Sequence, residues 1–119
     1  CMAATNPQMN RGGIYWCDLE PRTGHEQGLV RPVVVVSAAQ YNNSRSPMIG
    51  IIPLTASEPK HGFHVVLEPS ETGLDLKSTA LVDQARFIDR QRLRVDKIGQ
   101  VTVSGLARLD RQLARAFGL

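Results

Sequence analysis

Residues 32–37 read Pro-Val-Val-Val-Val-Ser, and this run decides the class of fold. Four consecutive β-branched residues are stiff at χ1 and sit well on a pleated strand. They do not alternate with polar residues, so a strand made of them has both faces covered. Such a strand needs neighbours, and the flanking sequence offers them. Residues 14–19 (IYWCDL) are aromatic and β-prone, follow Arg11-Gly12-Gly13, and end at Glu20-Pro21. Residues 48–54 (MIGIIPL) form a second buried run, with the donor-less Pro53 near its end. Residues 42–47 (NNSRSP) read as a turn. Shorter strands are expected at residues 63–67, beginning at 79–82, and at 98–101, with one helical turn over 89–93 capped by Asp89.

The period changes near the C-terminal end. Leu106, Leu109, Leu113 and Phe117 recur at spacings of three and four, which is one apolar helical stripe. Ser104 is the expected N-cap, and Gly118 follows the last periodic residue. Arg108, Arg111 and Arg115 fall on the opposite, solvated face. Five to seven short strands and one helix imply a mainly β (α+β) fold. The expected architecture is a small antiparallel β-barrel with a C-terminal α-helix packed on it.

A chain of 119 residues makes one domain. Residues 1–10 are expected to be a disordered leader or tag remnant, leaving 11–119 as the folded unit. Hydrophobic residues at 42% and charged residues at 21% exclude disordered and fibrous classes. No secretory signal and no apolar run of membrane-crossing length appears, so a cytoplasmic location without membrane contact is expected. The core available to so short a chain is modest, and a homodimer would enlarge it. Two cysteines, Cys1 and Cys17, make no disulfide framework. The net charge is +3, and apart from Lys60, Lys77 and Lys97 the basic residues are arginines. The arginine fork suits phosphate and base recognition, although a merely basic surface fits the composition equally well.

Phosphate-binding, dinucleotide and serine-hydrolase motifs are absent. His61 and His64 stand three apart, but the sequence around them supplies no cysteine or clustered carboxylate. They are expected on the surface, with no metal and no cofactor. Residues 22–30 are a long polar loop holding His25, Glu26 and Gln27 between Gly24 and Gly28, with Arg31 just beyond. RNA can be cut without a metal when its own 2′-hydroxyl attacks phosphorus. The reaction needs a base, an acid for the leaving 5′ oxygen, and a cation for the charge on phosphorus. Histidine and glutamate suit proton transfer, and arginine suits the charge. Thr55 ends the 48–54 run, where its hydroxyl can reach a phosphate oxygen or simply satisfy a turn. Asp83-Gln84-Ala85-Arg86 is a third group: Gln84 offers donors and acceptors to base edges, and Arg86 opens a basic run.

These pieces occur in a recognisable order. Arg11-Gly12 precedes Ile14-Tyr15-Trp16; then come Asp18-Leu19-x-Pro21, Gly24-His25-Glu26-Gln27-Gly28 and Arg31-Pro32 with its valines. Tyr41-Asn42, Pro53-Leu54-Thr55, Gly73-Leu74, Asp83-Gln84-Ala85-Arg86, Ile88-Asp89, Arg92-Leu93 and Ile98-Gly99 continue it. In order and spacing, residues 11–119 resemble the MazF/PemK toxin family. The resemblance implies an SH3-like barrel, a homodimer, and a sequence-specific, metal-independent endoribonuclease. Such an enzyme cuts single-stranded RNA or mRNA to 2′,3′-cyclic phosphate and 5′-hydroxyl ends. It also implies a MazE-like antitoxin partner.

By the same resemblance, Arg31 acts at the scissile phosphate and Thr55 joins it. Glu26 and His25 are the candidates for proton transfer, with the general acid unassigned. Gln27, Gln84, Arg86 and Asp83 are expected RNA contacts. One position departs from the family pattern. The PemK branch carries an arginine two residues before the carboxylate matching Asp83, and here that residue is Leu81. A non-catalytic binding protein on the same barrel is the competing reading, and the His25-Glu26, Arg31, Thr55 set favours the enzyme.

Overall fold

The valine run forms the centre of the sheet. In the computed structural model, which describes residues 10–19 and 29–119, β2 (Val30–Val35) lies between β1 (Gly13–Asp18) and β3 (Met48–Thr55). Both pairings are antiparallel, with Val34 opposite Ile14 on one side and Ile52 on the other. The expectation of two covered faces holds. Val33 and Val35 pack with Tyr15, Cys17, Leu19, Ile49, Ile51, Ile88 and Leu93. Val34 faces the other way, into Ile14, Ile52, Leu54, Leu67, Ala80, Val82, Val101 and Leu109.

The remaining strands are β4 (His64–Leu67), β5 (Ser78–Leu81), β6 (Arg86–Asp89) and β7 (Leu93–Gln100). The sheet runs β4-β5-β3-β2-β1-β7, all antiparallel, with β6 paired to β3. Among the described residues the path keeps two ends, β4 and β7, so the sheet curls without closing into a full barrel.

β3 changes partner along one edge. Its last two residues pair with β5 (Leu54 with Ala80, Thr55 with Thr79), and its first four pair with β6 (Met48 with Asp89 through Ile51 with Arg86). Between these ladders Val82–Gln84 leave the sheet as a 3₁₀ turn, and the register steps by those three residues. Asp83 and Gln84 are thereby lifted out of the strand plane, while Val82 stays in the core.

Four features differ from the sequence reading. β7 begins at Leu93 rather than 98, because it is a charged, exposed edge strand with no apolar alternation to mark it. A short helix, α1 (Ala39–Asn42), precedes the 42–47 turn; its Asn42 Nδ2 donates to Ser37 O at 2.8 Å. The C-terminal helix spans Val103–Phe117 and is capped by Thr102, whose hydroxyl accepts from Gly105 N at 3.2 Å. Thr102 is still extended, so Ser104 already sits inside the first turn and cannot be the cap. Phe117 is 68% exposed: the stripe buries Leu109 and partly Leu106 and Leu113, then outruns the sheet. Gly118 takes the left-handed conformation expected of a helix stop.

A one-turn helix, α2 (Pro69–Thr72), joins β4 to β5, so the C-terminal helix is α3. Asp89 caps a 3₁₀ turn over Arg90–Arg92, accepting from Gln91 N as expected.

Candidate functional site

Arg31 and Thr55 come to one place. Arg31 is the second residue of β2, directly after the loop, and Thr55 is the last residue of β3. The β2–β3 register sets Val33 opposite Pro53. Two residues further out, the same alignment brings Arg31 and Thr55 to matching ends of the pair. Both line a cavity of about 580 Å³ with Trp16, Pro32, Leu76 and Lys77.

The groups in this cavity are chemically complementary. Arg31 Nε is buried and has no hydrogen-bond partner among the described residues. A buried guanidinium nitrogen without a partner is costly, and an anionic oxygen in the cavity would satisfy it. Thr55 Oγ1 accepts from Ser57 N at 3.3 Å and donates a long bond to Ser57 Oγ at 3.4 Å, which a phosphate oxygen in the cavity can replace. A second contact, Thr79 Oγ1 to Ser57 O at 2.7 Å, fixes the start of the 56–62 loop beside it. Lys77 adds a second cation.

Trp16 is the residue that the sequence reading passed over. In sequence it reads as an aromatic strand former and as part of the family pattern, with no role at the site, yet it is 43% exposed and faces this cavity. Alternation in β1 is the signal that could have found it. Tyr15 and Cys17 point into one core, so Trp16 must point to the other face, beyond the edge of the second core.

Other expected site residues lie elsewhere. His25, Glu26 and Gln27 fall outside the described residues. Asp83, Gln84 and Arg86 do not line the Arg31–Thr55 cavity. Arg86 leaves β6 on the side of the first core and reaches across to donate to Leu19 O at 3.4 Å. Since Arg31 pairs with Cys17, both arginines approach the Cys17–Leu19 end of β1, next to the catalytic-loop candidates in the chain. Cys17 itself is buried, and burial pushes its thiol up to about 11 despite the opposing pull of Arg92 and Arg86.

Asp83 has partners that the sequence did not disclose. Its two carboxylate oxygens lie 3.1 Å from His61 Nε2 and 3.0 Å from His64 Nε2. The carboxylate missing from the neighbourhood of the histidine pair in sequence is thus supplied from 19 residues further along the chain. Arg108 also departs from expectation. Instead of standing on a solvated face, it donates to Val66 O at 2.9 Å and to Glu71 Oε1 at 2.6 Å.

A second, apolar groove of about 350 Å³ lies between α3 and the β3–β6 edge, lined by Val36, Phe87, Leu113 and Phe117 among others. Phe87, Phe117 and Leu119 are exposed there, which is unusual for large apolar side chains gathered on one face.

Comparison with known proteins gives a consistent answer. The sequence profile of the family described as "PemK-like, MazF-like toxin of type II toxin-antitoxin system" matches residues 10–117. A protein of Staphylococcus epidermidis named endoribonuclease MazF is 34% identical over 113 residues, covering 93% of this chain and 92% of that one. The crystal structure of MazF from Deinococcus radiodurans superposes with a TM-score of 0.80 at 27% identity, covering 98% of this chain and 100% of that one. A MazE–MazF structure from the same organism superposes at 0.75 with 27% identity, covering 96% and 99%. No described helix is long and apolar enough to cross a membrane.

Proposed function

Because the chain belongs to the PemK-like, MazF-like toxin family of type II toxin–antitoxin systems, we propose that it is an endoribonuclease toxin. The observation that carries this is the convergence of Arg31 and Thr55 in one cavity beside an exposed Trp16. Each of the three offers a different part of RNA recognition: a cation for the phosphate, a hydroxyl for its oxygen, and a π-face for a base.

The proposed reaction is transphosphorylation within single-stranded RNA. The 2′ oxygen attacks phosphorus as its proton is taken by Glu26 or His25. Arg31 holds the charge that builds on the non-bridging oxygens, and Thr55 orients them. The bond to the 5′ oxygen breaks, and that oxygen gains a proton from an acid not yet assigned. The products are a 2′,3′-cyclic phosphate and a 5′-hydroxyl. None of these steps calls for a metal. With no arginine at position 81, the phosphate charge falls on Arg31. Gln27, Asp83, Gln84 and Arg86 are proposed to contact RNA flanking the cut, and the 56–62 loop to shape the sequence preference.

The partners proposed are a second copy of the chain and a MazE-like antitoxin that blocks the cavity. The apolar groove at Phe87 and Phe117 supports the first, and the family supports both. The work is assigned to the cytoplasm, where mRNA is the substrate.

Incubating the purified protein with a long RNA in EDTA and mapping the new 5′ ends tests the reading. Cuts at one short motif, carrying 5′-hydroxyl ends, are expected. Intact RNA across varied sequences overturns it in favour of a non-catalytic binding protein.

A further inference from the structure

We propose that His61, His64 and Asp83 form a binding site for a divalent transition-metal ion of the Zn²⁺, Ni²⁺ or Cu²⁺ class. The inference does not rest on the RNA-cleaving reading. Three ligand atoms, one from each residue, lie within 4.8 Å of one another. Three parts of the fold bring them together: His61 from the 56–62 loop, His64 from the start of β4, and Asp83 from the turn that leaves the sheet between β5 and β6.

The geometry suits a small ion. Bonds of about 2.0–2.1 Å to nitrogen and oxygen at a tetrahedral centre set the ligand atoms about 3.3 Å apart. His61 Nε2 lies 3.1 Å from Asp83 Oδ2 and His64 Nε2 3.0 Å from Oδ1, each a few tenths short of that edge. The imidazole rings lie side by side, tilted by 44° with centroids 3.9 Å apart, and both Nε2 atoms address the Asp83 carboxylate. The His64 side chain is only 6% exposed, which holds one ligand rigidly, while His61 and Asp83 at 42% and 43% leave an entry path.

The donor set also selects the metal. The cluster holds a single carboxylate, and apart from Glu58 in the 56–62 loop the charges named around it are cationic. Lys60 belongs to the same loop, Arg111 lines the groove beside His64, and Arg115 lies over the Phe63 ring at 5.0 Å. Mg²⁺ and Ca²⁺ depend on several anionic oxygens and gain little here. Ions that bind imidazole well are the ones favoured.

Binding requires a proton shift. His61 Nδ1 accepts from Phe63 N and His64 Nδ1 from Lys60 N, both at 3.2 Å. Each neutral ring therefore carries its proton on Nε2, directed at Asp83. A metal on Nε2 moves that proton to Nδ1, where it meets an amide donor. The amides of Lys60 and Phe63 must turn away. The metal thus clamps the ligands and changes the conformation of the loop that joins Thr55 to His64.

The test is a Co²⁺ titration of the full chain carrying Cys1→Ser, read by visible absorption, with a Zn²⁺ titration by calorimetry in parallel. A single equivalent per chain is expected, with the absorption of a four- or five-coordinate site and no thiolate band. His61→Gln and Asp83→Asn, both at half-exposed positions, are each expected to weaken binding by about tenfold or more. In Zn²⁺-titrated, ¹⁵N-labelled protein, the Lys60 and Phe63 amides are expected to shift most. No saturable binding at millimolar metal overturns the proposal. So does binding that survives both substitutions, or that leaves the two amides unmoved. These readouts follow the metal and not RNA, so their outcome is separate from that of the cleavage assay.

Discussion

Arg31 and Thr55 enter one cavity from matching ends of adjacent strands, although 24 positions separate them in sequence. The strand pair fixes their spacing, so neither residue depends on the loop for its position. Arg31→Ala and Thr55→Ala are each expected to lower the cleavage rate by about 10²–10³-fold, the usual effect of losing a group that stabilises developing charge. Arg31→Lys keeps the charge but loses the fork, and is expected to recover only part of the rate. Initial rates on RNA, with thermal melts as the folding control, check this. Full activity in either folded alanine variant removes that residue from the mechanism.

Trp16 is expected to act on affinity more than on chemistry. Stacking one base on an aromatic ring contributes about 1–3 kcal/mol. Trp16→Ala should weaken binding of a non-cleavable 2′-O-methyl RNA by about tenfold or more, and Trp16→Phe by less. Fluorescence anisotropy measures both. Because the indole is 43% exposed, melting temperatures should change little. Unaltered binding by Trp16→Ala would show that the ring merely borders the cavity.

Glu71 ties α2 to α3 through three contacts. Its carboxylate accepts from Arg108 of α3 and from Glu68 N in the capping box of α2, and its carbonyl accepts from Thr102 N. The Arg108 bonds, more than any other cause, hold its pKa below the ordinary 4.5. The unfolded chain therefore binds more protons around that pH, and folding stability rises with pH there. The contribution is complete above about 4.5 and fades as pH falls through the lower, folded value. In urea titrations from pH 3 to 6, the native protein should exceed Glu71→Gln by a constant margin at the upper end. That margin should shrink at the lower end. A margin independent of pH would contradict the role of the charge.

Cys17 should be chemically silent. With its thiol pushed up to about 11 by burial, about a thousandth is ionised at pH 8. In a Cys1→Ser background, a disulfide-exchange reagent should react only after guanidinium unfolds the chain. A rapid reaction in the native state would mean that the β1–β2 core opens far more readily than its packing implies.

The legible parts of the fold are those written in local pattern. The four valines announced a doubly covered strand, and the leucine spacing announced α3. The edge strand β7 stayed hidden because residues such as Arg94, Asp96 and Lys97 protect an edge by being polar, which erases the alternation that marks a strand. Phe117 misled because period alone cannot say where the surface beneath a helix ends.

For the site, Arg31 and Thr55 were legible as residue types at strand ends and by resemblance to the family. Trp16 could have been singled out from alternation. Asp83 beside His61 and His64 was beyond reach. It depends on β4 pairing with β5 and on the three-residue departure after Leu81, both set by the whole sheet.

That departure gives the chain a freedom of evolutionary length. Removing Val82–Gln84 would join β5 to β6 as one continuous strand, with every pairing partner on β3 unchanged. Relatives can therefore lengthen, shorten or rewrite this segment without renegotiating the ladder, provided that one apolar side chain fills the place of Val82. Selection can work on what the turn displays while leaving the architecture beneath it alone.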